Sequence, residues 1–139
     1  MKLIRQRDSS DCGPASLAMI AEAHGRRDSL EQLRRAAGTL KSGSTLAGLV
    51  QASTTNGFDA RVVKGAITAI NRDTPVPFIA HVWKDEGFHF EVVYKITKSK
   101  VRIACPDRGW ITETRDDFAK VWTGYAVFLT PNEDFRKGN

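Results

Sequence analysis

The sequence predicts an α+β domain, because helical patterns fill its first part and strand patterns most of the rest. Apolar residues recur at helical spacing up to Gly57, and short runs rich in β-branched and aromatic residues follow from Phe58 onward. Two tight polar turns, "KDEG" at 84–87 and "KSK" at 98–100, separate neighbouring runs and predict antiparallel hairpins. The chain of 139 residues has the length of one domain and can bury a core without disulfides or structural metal ions.

The first predicted helix starts just before a cysteine. Ser10 or Asp11 can cap it, and its apolar positions recur at helical spacing until Gly25 ends it. Pro14 fits this start, because the amide of a first-turn residue has no helical partner to lose. Cys12 is therefore expected in the first turn of the helix.

Two more helices are predicted before the sheet. Ser29 and Gln32 form a capping-box pattern that opens the second helix, and Gly38 ends it. The third helix runs from about residue 44 to residue 53. Together the three helices form the N-terminal half of the domain.

Five strands are predicted from the β-rich runs of the second half, at 58–63, 76–83, 88–97, 101–105 and 125–129. Thr114 and Asp117 open one short helix, at 115–122, before the last strand. In the run "HFEVVYKI", alternation places Phe90 on one face of the strand and His89 on the other. The prediction is a set of N-terminal helices packed on an antiparallel β-sheet.

Composition argues against several function classes. No stretch approaches the roughly 18 apolar residues of a membrane helix, and no apolar segment follows the basic N-terminus as in a secretory signal. The cytoplasm is the expected compartment, and it would keep both cysteines as thiols. The net charge of +5 comes from basic residues scattered among acidic ones, without an interleaved aromatic stripe, so we expect no nucleic acid partner.

Cys12 is a candidate nucleophile because of its position. A thiol attacks carbonyl groups as the thiolate, and the unpaired amides of a helix N-terminus stabilise that anion. Gly13 beside it would allow a substrate backbone to approach closely. The alternative is that Cys12 is a small buried apolar side chain, which is the commoner role of a single cysteine.

A thiol nucleophile also needs a base and donors for the developing oxyanion. Among the three histidines we favour His89, at the start of a strong strand, over His24 and His81. His24 precedes a helix-ending glycine, and His81 lies inside a strand, where a hydrogen-bonded core histidine is expected. Gln6, a few residues before Cys12, can supply an oxyanion donor, or it can be an exposed polar residue.

These motifs occur in an order that resembles one known family. Gln6 and the segment "DCGPA" at 11–15 resemble the opening of the C39 peptidase family, the papain-like domains that precede bacteriocin-exporting ABC transporters. The run at 42–63 is similar to that family's Gly-Thr-Ser helix and following strand, and "HFEVVYKI" to its His strand. "FAKVWTGYAVFLTP" at 118–131 resembles its closing Trp-Thr-Gly segment.

The resemblance implies a papain-like fold and a cysteine endopeptidase that removes a leader peptide after a Gly-Gly pair. It makes Cys12 the nucleophile, His89 the general base and acid, and Gln6 the oxyanion donor. A noncatalytic module that binds the substrate for its transporter is the alternative function. We assign Gly13, Phe88 and Trp110 to substrate binding, the two aromatic residues as parts of a groove for the leader, with ordinary core packing as the alternative for either of them.

The resemblance also implies the rest of the system. The expected partners are a precursor peptide with a double-glycine leader and the transmembrane and ATPase domains of the same transporter. The expected peptidase domain spans residues 1–131, and the polar tail 132–139 would begin a linker to a transmembrane region. The domain is expected at the cytoplasmic face of the membrane without a metal or cofactor of its own, and ATP only in the ATPase part.

One position departs from the family's pattern. The family orients its histidine with an Asp followed by Pro, and here Cys105 stands at that position, with Asp107 two residues later. Three outcomes remain open: Asp107 takes over the role, Cys12 and His89 work more slowly as a pair, or the domain only binds its ligand. Zinc held by both cysteines and His89, or a disulfide between Cys12 and Cys105, are further alternatives.

Overall fold

The computed structural model describes residues 1–7, 10–39 and 43–137. Within these ranges the helices are α1 (Cys12–Ala23), α2 (Leu30–Ala36), α3 (Leu46–Thr55), α4 (Arg115–Val121) and α5 (Glu133–Lys137). The strands are β1 (Phe58–Lys64), β2 (Phe78–Lys84), β3 (Gly87–Ile96), β4 (Lys100–Cys105), β5 (Gly109–Thr114) and β6 (Trp122–Pro131). The predicted α+β class is confirmed. Ser42, at the start of one motif, and residues 138–139 of the tail lie outside the described residues.

The six strands form one antiparallel sheet in the order β1-β6-β2-β3-β4-β5. The predicted turn at 84–87 closes the β2–β3 hairpin, with Asp85 and Glu86 at φ values of 54° and 62°. Positive φ at both central residues is the geometry of a two-residue hairpin turn that follows the twist of its strands. The turn sets the register, so that Phe90 lies opposite His81.

α1 lies in the middle of the domain, packed on β3 and against α2 and α3. Its first ten residues are all buried, which is why its sequence is apolar or small all round rather than along one stripe. The start at Cys12 agrees with the prediction, but the predicted side-chain cap does not form. The Asp11 carboxylate instead pairs with Arg34 and accepts a hydrogen bond of 3.2 Å from the Arg7 amide.

The caps of the other helices follow the sequence. Ser29 accepts a hydrogen bond from the Gln32 amide at the start of α2, and Thr114 accepts one from the Asp117 amide at the start of α4. Each cap pairs an amide that the first turn of a helix leaves without a partner. Ser29 and Thr114 are therefore confirmed as the N-cap residues of these two helices.

The sheet carries apolar side chains on both faces. Strand alternation directs Ile79 and Val92 toward α1, and Phe78 and Val93 toward the opposite side, where Phe118 of α4 is buried. The face that packs on α1 holds the candidate nucleophile. No helix in the described ranges is long and apolar enough to cross a membrane.

The structure adds one strand to the predicted sheet and corrects the starts of two others. β5 was not predicted, because its start at Gly109 follows directly on the polar turn 106–108. β6 begins at Trp122, which the sequence pattern assigns to the preceding helix. β2 begins at Phe78 rather than at 76, since Pro77 has no amide to donate to the ladder.

The tail is also different from the prediction. Residues 133–137 form α5, and Phe135 is only 7% exposed and lies 4.9 Å from the ring of Phe58 between centroids. A buried aromatic side chain beyond Pro131 therefore belongs to the core, while the domain boundary after Pro131 stays a prediction.

Candidate active site

Cys12 opens onto a cavity of about 280 Å³ between the helical half and the sheet. The other lining residues come from the segment that leads into α3 and from the β2–β3 hairpin: Gly43, Ser44, Thr45, Leu46, His81, Phe88 and Phe90. The first turn of α1 and the two strands thus meet where the candidate nucleophile lies. The cavity has the size of a few peptide units rather than of a large ligand.

The thiol of Cys12 is nearly enclosed, with 6% of the residue exposed. Burial raises its pKa above the ordinary value, although the amides of Phe90 and Gly13 oppose this by hydrogen bonding to sulfur. The Phe90 nitrogen lies 3.4 Å from Cys12 Sγ. The predicted stabilisation of the thiolate by an amide of the helix start is present, but burial outweighs it.

His89 lies next to this amide in the chain, but its ring is on the other face of β3. Its Nε2 is 3.0 Å from the backbone oxygen of Lys84. A carbonyl oxygen accepts hydrogen bonds and does not donate them, so Nε2 of the neutral ring carries the proton and Nδ1 keeps its lone pair. No hydrogen bond joins His89 to Cys12, both of which lie in the described part of the chain. Its role as the base stays a prediction.

A buried ion network anchors the strand end that holds His89. Lys84 Nζ lies 2.9 Å from a carboxylate oxygen of Glu91 and 2.9 Å from one of Glu113. Glu91 is fully buried, and burial raises the pKa of its carboxyl despite the ammonium group beside it. Burial would lower the pKa of Lys84, but the two carboxylates raise it above the ordinary value. This network fixes the residue whose carbonyl binds the imidazole.

His81 is the histidine that shares the cavity with Cys12. Its Nδ1 lies 2.9 Å from the hydroxyl oxygen of Thr123, and its ring stacks on Phe88 with 4.8 Å between centroids. The predicted hydrogen bond of a strand histidine is present, but its place on the cavity was missed. Alternation alone could have indicated it, since His81 lies opposite Phe90 in the hairpin and so shares its face.

The two candidates for the missing Asp have different environments. Cys105 is buried, its pKa is raised by burial, and its sulfur accepts a hydrogen bond of 3.4 Å from the Arg108 amide. Asp107 is exposed in the β4–β5 turn, and within the described residues its carboxylate makes no hydrogen bond or ion pair. A contact between Asp107 and His89, one of the three outcomes left open by the sequence, is not present among the described residues, and His89 binds the Lys84 carbonyl.

The alternatives that involve both cysteines have no geometric support. Cys12 and Cys105 are free thiols in this structure. Within residues 1–7, 10–39 and 43–137, no group of three or more His, Cys, Asp or Glu side chains is arranged to hold a metal ion.

Gln6 lies on the extended segment before α1. Its backbone amide donates a 3.0 Å hydrogen bond to the oxygen of Pro106, which ties the segment to the end of β4. Its side-chain oxygen is buried without a hydrogen-bond partner in the described residues. Gln6 does not line the cavity around Cys12, so its oxyanion role stays a prediction.

The three residues assigned to substrate binding separate in the structure. Phe88 lines the cavity and is 61% exposed, so it is available to a ligand. Trp110 lies on β5, packed edge-on against Tyr94, and does not line the cavity. A side chain at Gly13 would place its Cβ 3.1 Å from Ser44, so close packing by itself explains why this position is a glycine.

Comparison with known proteins gives one family. Residues 1–134 match the model of the Peptidase C39 family. Lactococcin-G-processing and transport ATP-binding protein LagD of Lactococcus lactis subsp. lactis is 36% identical over 137 residues, 97% of this chain and 20% of that protein. An uncharacterised protein of Methanothermobacter marburgensis is 34% identical over 132 residues, 95% of this chain and 90% of that protein.

A solved structure agrees with this match. The crystal structure of the peptidase domain of Streptococcus ComA, described as a bi-functional ABC transporter involved in a quorum sensing pathway, has a TM-score of 0.88 and 36% identity. The match covers 94% of this chain and 98% of that chain. The chain thus matches nearly the full length of that solved domain, and it spans about a fifth of the length of the transporter protein from Lactococcus.

Proposed function

The chain belongs to the peptidase C39 family, and on that premise we propose that it is a cysteine endopeptidase that removes double-glycine leaders from bacteriocin-like precursor peptides. The observation that carries the proposal is the position of Cys12, in the first turn of a buried helix and open to a cavity of peptide size. The names of relatives support the substrate class, because LagD is a processing as well as a transport protein.

The chemistry proposed for the site is acyl transfer to sulfur. His89 Nδ1 accepts the thiol proton, and Cys12 Sγ attacks the carbonyl carbon of the second glycine. The tetrahedral oxyanion is held by the Cys12 backbone amide and the Gln6 side-chain amide. The amine of the following residue leaves with the proton from His89, and water then hydrolyses the thioester, which releases the leader with a free carboxylate.

The Lys84 carbonyl supports the choice of His89. In a Cys–His pair the group behind the imidazole chiefly fixes its tautomer and stabilises its cation. A hydrogen bond of 3.0 Å from Nε2 to that carbonyl supplies the first effect and leaves Nδ1 as the base. A neutral carbonyl stabilises an imidazolium ion less than a carboxylate does, so we expect a slower enzyme than one with an Asp at position 105.

The partners and the location belong to the same proposal. We infer that the domain acts beside the transmembrane and ATPase domains of an ABC transporter, at the cytoplasmic face of the membrane, since LagD and ComA are named as such transporters or their parts. ATP would be bound in the ATPase domain. The peptidase site needs no metal or cofactor for the chemistry proposed.

A noncatalytic binding module is the second candidate, and two observations favour it. The pKa of Cys12 is raised by burial, and within the described ranges no carboxylate forms a hydrogen bond or ion pair with His89 that would stabilise its cation. Such a module would bind the leader in the same cavity without cutting it.

Mass spectrometry of a Gly-Gly leader peptide incubated with the protein under reducing conditions with a chelator tests the proposal. We expect one cut, after the second glycine, that is abolished by Cys12→Ala and His89→Ala and retained in Cys105→Ser. Asp107→Ala should keep the activity, because the Asp107 carboxylate makes no contact with His89. An intact peptide that still binds the protein would reject the protease and favour the binding module.

A further inference from the structure

His81 and Thr123 form a small hydrogen-bond network at the edge of the Cys12 cavity. The hydroxyl oxygen of Thr123 on β6 lies 2.9 Å from His81 Nδ1 and 3.0 Å from the His81 backbone oxygen. The Tyr125 amide, 3.3 Å away, donates to the same hydroxyl oxygen. Three partners therefore surround a hydroxyl group that has one proton to give.

Counting protons fixes the tautomer of His81. The backbone oxygen of His81 can only accept, so the Thr123 hydroxyl must donate its one proton there. The same hydroxyl oxygen can then only accept from the ring, and Nδ1 must carry the ring proton. Nε2 of the neutral ring is left with a lone pair. This tautomer is the opposite of the one that the Lys84 carbonyl imposes on His89.

The ring of His81 is also fixed in orientation. It stacks on Phe88 at an interplanar angle of 16°, and it packs on Phe90 with 5.1 Å between centroids. Nδ1 faces Thr123, and Nε2 has no hydrogen-bond partner among the described residues. Burial lowers the pKa of His81, which keeps the ring neutral and its lone pair available near neutral pH.

A lone pair in this place suits a particular ligand group. The cavity opens on Cys12, and an extended peptide that enters it presents backbone N–H donors. His81 is half-buried, and a peptide bound in the cavity would enclose its Nε2. An enclosed acceptor that meets no donor is penalised, so such a group selects for a ligand with an N–H at the matching position. In the proposed function the base is His89, so His81 has a separate role at the cavity.

We propose that His81 Nε2 accepts a hydrogen bond from one backbone N–H of the peptide bound in the Cys12 cavity, and that Thr123 holds His81 in the tautomer required for this. The inference rests on the proposed function for the identity of the peptide. His81 is thus a substrate-binding residue, and Thr123 a positioning residue that acts through it. The site rejects a peptide whose matching nitrogen carries a methyl group or belongs to proline.

The tautomer can be measured without any peptide. Long-range proton–nitrogen NMR spectra of protein labelled at its three histidines distinguish a ring protonated on Nδ1 from one protonated on Nε2. We expect His81 to show the Nδ1–H pattern, Thr123→Ser to preserve it, and Thr123→Val to lose it. A proton on Nε2 of His81 in the unmodified protein would overturn the proposal.

The hydrogen bond to the peptide requires a binding experiment. Dissociation constants are measured with the Cys12→Ala protein, which cannot cut, for a Gly-Gly leader peptide and for peptides methylated at one backbone nitrogen each around the glycines. His81→Phe keeps a ring for the stack but removes the acceptor. We expect it to weaken binding of the plain peptide about tenfold.

Combining backbone methylation of the peptide with His81→Phe identifies which peptide N–H binds His81 Nε2. At one position, methylation should weaken binding to the His81 protein about tenfold more than binding to the His81→Phe protein. Equal losses at every position, or no measurable binding of the plain peptide, would overturn the proposal. So would a His81→Phe change, in otherwise unmodified protein, that lowers kcat with KM unchanged, since that result marks a base.

Failure of the proposed function gives a different result. If the protein binds the peptides with this dependence on both changes but does not cut them, the His81 proposal stands and the protease proposal is rejected. If the protein cuts the peptide but methylation weakens binding equally with and without His81, the protease proposal stands and the His81 proposal is rejected.

Discussion

Cys12 combines a position suited to catalysis with surroundings that disfavour its charged form. The amides of Phe90 and Gly13 lower the pKa of the thiol, and burial raises it by more. A thiolate is therefore scarce at neutral pH, and the reaction depends on a base that removes the proton during the attack. This makes the contribution of the histidine larger than in a site where the thiolate is already formed.

Alkylation of Cys12 by iodoacetamide should show this directly. In Cys105→Ser protein, where Cys12 is the single thiol, we expect the alkylation rate to rise with pH and its midpoint to lie above that of a free cysteine. The reason is that burial stabilises the neutral thiol relative to the thiolate. The rate is measured by mass spectrometry, with glutathione as the reference thiol. A midpoint below neutral pH would contradict the role given to burial.

Glu91 should make stability depend on pH in an unusual direction. Burial raises its pKa in the folded state above the ordinary value of 4.5, so the folded protein holds this proton more tightly than the unfolded chain does. The contribution of Glu91 to the free energy of unfolding is therefore lost as the pH rises from about 4.5 through the raised pKa. Glu91→Gln, which stays neutral, escapes this loss.

Urea unfolding of both proteins at several pH values gives the comparison. We expect the Glu91→Gln protein to gain stability relative to the unmodified protein between pH 4 and pH 8. Glu113→Gln, at the less buried partner of Lys84, is the matched control and should show a smaller change. A difference that does not vary with pH would reject the raised pKa.

At the scale of single residues, the sequence predicted which faces side chains take but not which elements those faces meet. Alternation in β3 correctly separated His89 from Phe90. It could not show that α1 lies on the Phe90 side, which depends on packing across residues far apart in the sequence. It also could not show the Lys84 carbonyl behind His89, since a backbone partner leaves no trace in residue types.

At the scale of the elements, α2 and α3 pack so closely at Gly48 that one added methyl group would disrupt their contact. A Cβ at Gly48 in α3 would lie 2.1 Å from the backbone oxygen of Ala37, at the end of α2. A backbone atom cannot move aside as a side chain can, so the two helices would have to separate. The segment that lines the Cys12 cavity, Ser44 to Leu46, leads directly into α3 and would move with it.

Gly48→Ala should therefore lower the free energy of unfolding by about 2 kcal/mol, although alanine is the better helix former. The neighbouring exposed change Ala47→Gly is the control, because it alters helix propensity without this contact. Chemical denaturation of both variants measures the difference. A Gly48→Ala protein as stable as the parent would show that α2 and α3 tolerate a larger spacing.

The elements that the sequence predicted best are those with strong local signals. Ser29 and Thr114 cap their helices through bonds within one turn, and the turn at 84–87 closes with its own backbone geometry. β5 lacked such a signal, because its pairing with β4 through a three-residue turn is what makes it a strand. The missing side-chain cap of α1 has a tertiary cause, since Asp11 pairs with Arg34 of α2.

Across the whole molecule, the C-terminal residues are tied to the helical half rather than left as a tail. Phe135 packs on Phe58, and the guanidinium carbon of Arg26 lies 4.2 Å from the centre of its ring. Arg26 also donates a hydrogen bond of 3.3 Å to the Phe135 oxygen, so the segment after α1 and the last helix meet in one cluster. The packed core therefore extends to Phe135, and we predict that the end of the fold lies at or beyond this residue.

The position of that end decides which shortened proteins can fold. Phe135→Ala should lower the free energy of unfolding by about 3 kcal/mol, because it removes a buried ring from a packed cluster. A chain that stops after Pro131 should lose at least as much, whereas Asp134→Ala, an exposed change in α5, should lose little. The three are compared by denaturant unfolding.

The stability of the shortened chain shows where the fold ends. If the chain ending at Pro131 were as stable as the full chain, α5 would not contribute to the core, and any segment joined beyond it would begin at the end of β6. A large loss would instead place that junction after α5, whose Phe135 packs on Phe58 of β1 and on His24 at the end of α1.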